Sequence, residues 1–339
     1  MTRSRVKSVA FAMLAAAALT APGAAQDTPA TMKALRIHAH GETSEVLHYE
    51  DAPIPSPRPR QLLIAVHAAG VIPGDWKTRN AQFGDFSDSM PVVMGYDVSG
   101  VVEEVGSAVQ GFAVGDEVFA YLPRGGAFAE YAVGPAGVFA KKPANVSHLE
   151  AAGAPVCALA AWCALVEKAE LKEGQTVLIQ GGAGGVGHYA VQIAHAIGAK
   201  VYTTASPRNH EFLRGLGADV VIDYHTQRFE DVVDDVDVVF DMIGGEVLER
   251  CYRVVKPGGY LVAISGGVSE EKLEEHGIRG TFLATPPDGR RLAKVAEMME
   301  RGEIATHVGR VFPLSEAADA IDLNEHGPNR GKIVVQVRE

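Results

Sequence analysis

An α/β chain of two domains is predicted, a β-rich unit followed by a doubly wound parallel sheet. Between residue 32 and about residue 154, short apolar segments alternate with glycine- and proline-rich turns, and no long amphipathic helix interrupts them. From about Cys157 the rhythm becomes strand, helix, strand, helix, and the strand segments are nearly continuous apolar runs, as strands buried on both faces require. A length of 339 residues suits two domains of about 150 residues each.

In the first domain the clearest strands are LLIAVHAAGV (62–71), SGVVEEVG (99–106), DEVFAYL (116–122) and AFAEYAV (127–133). Pro53, Pro55, Pro57 and Pro59 make APIPSPRPR an extended connection, because proline cannot donate to a sheet ladder. In the second domain TVLIQ (176–180) runs into a glycine-rich turn and a helix to Ile197. KVYTTA (200–205), a helix over 208–216 and DVVIDY (219–224) follow, then DVVFDMI (237–243), GYLVAIS (259–265) and GTFLAT (280–285). EEKLEE (270–275) reads as a solvated helix face. A helix over 289–301, the segment HVGRVFPL, a short helix and GKIVVQV (331–337) return to the first domain. The predicted boundaries are 32–157 for the first domain, 158–296 for the second and 297–339 for the return.

Composition narrows the function. With 31 Lys and Arg against 42 Asp and Glu, the net charge of −11 disfavours nucleic acid or an anionic membrane surface as partner. Cys157, Cys163 and Cys251 are too few for a disulfide framework and lack the paired spacing of a structural zinc site. The first 25 residues depart from this average. Arg3, Arg5 and Lys7 precede the apolar run Val9–Ala21, and small residues follow, so a signal peptide cleaved after Ala25 is expected, with 26–31 as a tether and a periplasmic or secreted product. A translation start at Met32 would instead give a cytoplasmic protein. A run this short falls below the ~20 residues needed to span a bilayer, so no stable membrane anchor is expected.

The sequence IQGGAGGVGHYAVQIAHAIGA places Gly182, Gly184 and Gly187 in G-x-G-x-x-G spacing, directly after a strand and opening a helix. That context suits a dinucleotide: the glycines let the backbone approach the pyrophosphate, and the helix N-terminus stabilises its charge. At the end of the next strand, Thr203-Thr204-Ala205 leads into Ser206-Pro207-Arg208-Asn209, where NAD sites usually carry a carboxylate for the ribose 2′-OH. None stands here. Ser206 and Arg208 suit a 2′-phosphate, and one charge-assisted bond of about 1.5–3 kcal/mol favours NADP(H) by tenfold to over a hundredfold.

AGVIPGDWKTR (69–79), MGYDVSGVVEEVG (94–106), VGDEVFAY (114–121), GAFAEYAV (126–133), KPANVSHLEAA (142–152), AGGVG (183–187), GADVVIDY (217–224) and RGKIVV (330–335) together resemble the medium-chain dehydrogenase/reductase superfamily. The closest resemblance is to its zinc-free quinone oxidoreductase-like branch. It implies a GroES-like catalytic domain, a Rossmann domain and a cleft between them for nicotinamide and substrate. It also implies cofactor contacts at Gly184, Gly185, Val186, Ser206, Arg208, Tyr224, Ser265 and Lys332, with Gly244 shaping the nicotinamide side. Zinc-dependent members carry Cys and His where this chain has Ile72 and Tyr96, so no catalytic metal is expected. Hydride delivery to a quinone or an α,β-unsaturated carbonyl then replaces alcohol oxidation. The branch often has Asn at the position of Ile72 and Thr at that of Ala160, which leaves this pocket more apolar. Tyr96, Asp75, Lys77 and Tyr131 are the polar catalytic candidates, with Tyr96 foremost as proton donor. A dinucleotide-binding sensor or scaffold without turnover is the alternative. An exposed edge strand at GTFLAT makes a homodimer an expectation as well.

Overall fold

The computed structural model describes Met1, residues 31–83 and residues 86–339; apart from Met1 and Thr31, the expected export signal and tether lie outside the described residues. Among the described residues no helix is long and apolar enough to cross a membrane.

The first domain is built from β1 (Thr31–Ile37), β2 (Leu47–Pro53), β3 (Gln61–Val71), β4 (Val92–Val93), β5 (Asp97–Val105), β6 (Glu117–Tyr121), β7 (Tyr131–Pro135) and β8 (Phe139–Lys141), with α1 (Pro73–Arg79) following β3. β3 is long and buried along most of its length, and it pairs antiparallel with β5 and β7. Its apolar side chains Leu62, Ile64 and Val66 meet Val98, Val102 and Val118 in one core. AFAEYAV does not form one strand. Leu35 N–H donates to Phe128 O and Glu130 N–H to Lys33 O, so residues 127–130 lie along β1, and the chain passes to β3 at Glu130, whose carbonyl accepts the Val66 N–H, before pairing with it from Tyr131 onward. One segment thereby stitches two sheets.

α2 (His148–Gly153) and α3 (Pro155–Trp162) lead into the second domain. Ser147 and Glu150 form a reciprocal capping box that starts α2, each side chain satisfying the other's backbone N–H. β9 (Thr176–Ile179), α4 (Gly187–Ile197), β10 (Lys200–Ala205), α5 (His210–Gly215), β11 (Val220–Asp223), β12 (Val236–Asp241), α6 (Gly245–Cys251), β13 (Val255–Ala263), α7 (Glu270–His276) and β14 (Arg279–Phe282) then alternate. The sheet order is β11-β10-β9-β12-β13-β14, parallel throughout, which is the doubly wound order with its switch point beside β9. α8 (Gly289–Glu300), N-capped by Asp288, packs against β8. β15 (Val308–Pro313), α9 (Ala317–His326) and β16 (Lys332–Gln336) return to the first domain, where β16 pairs antiparallel with β3. The last segment of the chain therefore closes the first domain beside the second domain's glycine loop.

Candidate functional site

The site begins where β9 ends. Thr204 Oγ1 donates to Gln180 Oε1 at 2.8 Å and accepts the Gly181 N–H at 3.0 Å, pinning a residue that turns with a φ of +80°. A Cβ on Gly182 would lie 2.1 Å from Thr203 Oγ1, and one on Gly187 2.3 Å from the Gly181 carbonyl oxygen. These two glycines are required by the protein's own packing. Gly184 and Gly185 are not: a Cβ there would meet its nearest atoms at 3.4 Å and 3.3 Å. Both line a groove along the carboxyl ends of the parallel strands. Their small size leaves space for something other than protein, which is the fit expected of a pyrophosphate lying against the backbone.

The groove has two adjoining parts, of about 590 and 280 Å³, which share Gly181, Gly184, Ile243 and Asn329. Ser206, Arg208 and Tyr224 line the larger part, and no Asp or Glu does among the described residues. Arg250 also lines it, paired with Glu230 and lying 4.6 Å from the Phe229 ring centroid. The smaller part is walled by Val71, Cys157, Gly185, Val186, Gly187, Met242, Ile264, Ser265 and Lys332. Asp241 holds one wall: its carboxylate accepts the N–H groups of Ile243 at 3.2 Å and Gly244 at 2.9 Å. A Cβ on Gly244, whose φ is +78°, would lie 2.6 Å from Ser265 O. Gly244 thus shapes the wall from behind.

His188 ties the glycine loop to the first domain. Its Nε2 accepts the His307 N–H at 3.3 Å, so Nδ1 carries the proton and donates to Gly184 O at 3.0 Å. Burial pushes its pKa down to about 3, so the ring stays neutral. The glycine spacing gave no sign of this role, because the partner lies over a hundred residues away.

Lys332 lines the groove, but its ammonium turns inward. Nζ donates to Val71 O at 3.0 Å and Cys157 Sγ at 3.2 Å and lies 4.0 Å from Asp97 Oδ2. Burial lowers its pKa, but Cys157 and Asp97 outweigh that and hold it above the usual lysine value. The side chain also lies beneath Gly185, whose Cβ would lie 3.5 Å from Lys332 Cδ, so Lys332 braces the glycine loop as well as lining the groove.

The four catalytic candidates are not brought into the groove. Asp75 is fully buried, and its Oδ2 accepts the Ile72 N–H at 2.8 Å, so it caps α1. Burial pushes its pKa up to about 8. Tyr96 is buried with its OH 2.6 Å from Thr78 Oγ1 and edge-on to Phe83 and Tyr121, a packing arrangement that raises its pKa through burial. Lys77 lies over the Trp76 ring at 5.4 Å. Tyr131 sits on β7 under the Arg338 guanidinium, packed with Met32, Ala34 and Ala129. In each case local sequence neighbours suggested a cleft position that long-range packing does not provide. Asn324 does line the smaller part, and its Oδ1 is buried without a hydrogen-bond partner. Among the described residues no three His, Cys, Asp or Glu side chains are grouped to hold a metal ion.

Residues 58–144 match the family described as the alcohol dehydrogenase GroES-like domain, and residues 216–335 match the family described as zinc-binding dehydrogenase. The chain is 36% identical to the 2-methylene-furan-3-one reductase of Solanum lycopersicum, over 91% of this chain and 79% of that protein. It is 37% identical to the chloroplastic NADPH-dependent alkenal/one oxidoreductase of Arabidopsis thaliana, over 91% of this chain and 80% of that protein. The quinone oxidoreductase structure from Coxiella burnetii matches with a TM-score of 0.84 and 36% identity, covering 91% of this chain and all of that one (100%). The fold, the glycine loop and these likenesses agree: the chain belongs to the medium-chain dehydrogenase/reductase superfamily and is quinone oxidoreductase-like.

Proposed function

We infer that this protein is an NADPH-dependent oxidoreductase that reduces quinones or α,β-unsaturated carbonyls. The observation that carries the cofactor choice is the wall of Ser206, Arg208 and Tyr224, with no Asp or Glu lining that part among the described residues, at one end of a groove that begins on the glycine loop. The Arabidopsis and tomato relatives act, by their names, on alkenals, enones and a methylene-furanone, and the Coxiella relative on quinones. When bound, NADPH supplies the hydride that reduces the substrate. The chain's part is to hold and enclose. Gly184, Gly185 and the backbone of Val186 and Gly187, where the loop enters α4, receive the pyrophosphate. Val71, Met242 and Ile264 keep the reacting end apolar, which strengthens any hydrogen bond to charge developing on the substrate oxygen. In this reading the donor of that bond is the Nδ2–H2 group of Asn324, a residue of that lining, and water is the proton source, no Asp, Glu or His lining the groove among the described residues.

The reaction in this reading uses no zinc. Ile72 and Tyr96 are buried apolar and phenolic side chains at the two expected ligand positions, and neither offers a thiolate or imidazole. Purified protein is expected to consume NADPH with a panel of quinones and enones, equally before and after chelator treatment. Binding of NADPH without turnover on any panel member would favour the sensor or scaffold instead, and loss of turnover with the chelator would restore the metal.

Two further readings concern the whole molecule. Residues 1–25 act as a cleaved export signal, supported by the basic start, the apolar run and the small residues before Gln26. The protein forms a homodimer through β14, which ends the sheet order with Phe282 half exposed. Native mass spectrometry of protein expressed from the full gene is expected to give twice the mass of a chain beginning at Gln26. A chain beginning at Met1 or Met32 sinks the signal, and a single-chain mass sinks the dimer.

A further inference from the structure

Arg330 belongs to the short strap between α9 and β16, in the part of the chain that completes the first domain, yet its guanidinium engages the second. Nε donates to Asn209 Oδ1 at 2.7 Å and Nη2 to the Arg208 carbonyl oxygen at 2.6 Å. Its Cζ lies 5.2 Å from the Phe212 ring centroid. Asn209 in turn donates through Nδ2 to Ser206 Oγ at 3.3 Å. The next strap residue, Gly331, donates its N–H to Ala183 O in the glycine loop at 2.9 Å. Its φ is +63°, and a Cβ there would lie 2.2 Å from His307 O, so the strap is held tightly on its inner side.

We propose that Arg330 is the positioning residue for recognition of the 2′-phosphate. Ser206 and Arg208 sit on a turn at the mouth of the groove, and Arg208 is exposed. A long exposed side chain binds an anion well only when its backbone is fixed, because otherwise ordering consumes much of the interaction. Arg330 fixes that backbone from the other domain. It meets a carbonyl and a carboxamide oxygen at once, which a planar fork of donors can do and a single ammonium cannot. Discrimination between NADPH and NADH is thus built across the domain boundary, and the segment that braces the phosphate subsite is continuous with the one that supports the glycine loop. The inference rests on Ser206 and Arg208 being that subsite.

The test is a double-mutant cycle on the full enzyme, reading Kd for NADPH and for NADH by fluorescence titration, with thermal melting to confirm folding. Arg330→Ala is expected to reduce the preference for NADPH about tenfold, the effect of one hydrogen-bonded contact, while NADH affinity stays nearly constant. Arg330→Lys is expected to restore part of the preference. The double variant Arg208→Ala/Arg330→Ala is expected to show no less preference than Arg208→Ala alone, because Arg330 acts through Arg208. Equal weakening of both cofactors by Arg330→Ala would reduce the residue to a packing role, and full additivity would make it a separate phosphate contact; either overturns the proposal. If Arg330→Ala unfolds the protein, the Arg330→Lys variant and the additivity of its pair with Arg208→Ala decide. A preference unchanged in Arg208→Ala overturns the subsite assignment itself. A preference lost in Arg208→Ala but intact in Arg330→Ala overturns only the role of Arg330.

Discussion

Replacing Gly187 with alanine is expected to weaken NADPH binding by about tenfold to a hundredfold and to destabilise the fold by about 1–3 kcal/mol. The added Cβ would stand 2.3 Å from the Gly181 carbonyl oxygen and 2.7 Å from Gly182 Cα, both backbone atoms of the loop that leaves β9. No rotamer relieves such a contact, so α4 or the loop must move, and the groove wall moves with it. Gly184 provides the contrast. A Cβ there meets only Gly181 O, at an ordinary 3.4 Å, and the residue does not adopt a positive φ. Gly184→Ala is therefore expected to keep or slightly raise the melting temperature, by restricting the unfolded chain, while still impairing NADPH binding. Titration and melting of both variants separate the two roles. Wild-type binding by Gly184→Ala would remove the glycine loop from the cofactor site, and wild-type melting by Gly187→Ala would remove the packing argument.

Lys332→Met is expected to cost about 3–5 kcal/mol of stability at alkaline pH, where it leaves an ionised Asp97 buried without its cation. Asp97 is fully buried and 4.0 Å from Lys332 Nζ, and its other bonds come from the Val156 N–H. Burial pushes the Asp97 pKa up to about 7 and that of Asp75 up to about 8, with Lys332 opposing the rise in both. A carboxyl whose folded pKa is raised favours the fold fully below its unfolded pKa, and that contribution is lost as pH climbs through the folded value. The pair therefore makes the protein lose stability between about pH 4 and pH 8. Without Lys332 the Asp97 pKa rises further, so the deficit of Lys332→Met should be small near pH 5 and large near pH 9. Urea midpoints across that range measure it. Asp97→Asn in the Lys332→Met background is expected to recover much of the loss at the alkaline end. A deficit independent of pH would mean that lost packing, not the stranded charge, sets the cost.

Much of the fold was legible because its signals are local. Continuous apolar runs mark β9 to β13, and the glycine spacing marks the turn into α4, since both depend on a residue's immediate neighbours along the chain. The missing carboxylate after β10 was equally plain. AFAEYAV misled because seven residues of strand-like character say nothing of which sheet they join, and the hydrogen bonds to Leu35 and Lys33 decide that. Asp75 and Tyr96 misled for a related reason. Each is polar in a segment near the cleft, but one caps a helix and the other bonds Thr78 beneath aromatic rings.

The sequence by itself determined the two-domain α/β architecture, a dinucleotide turn and the absence of an acidic residue at the ribose end. Each of these is written within a window of a few dozen residues. Only the tertiary structure decided which glycines serve packing and which leave room for a ligand, because that depends on atoms of β10 and of the loop itself. It alone turned the Lys332 ammonium toward Val71 and Cys157, partners 261 and 175 residues away. It alone brought Arg330 to the backbone of Arg208, 122 residues away, across the domain boundary. Backbone geometry and apolar periodicity are short-range properties, whereas the partner of a buried polar group is fixed only when distant elements pack and each donor must find whichever acceptor the fold places beside it.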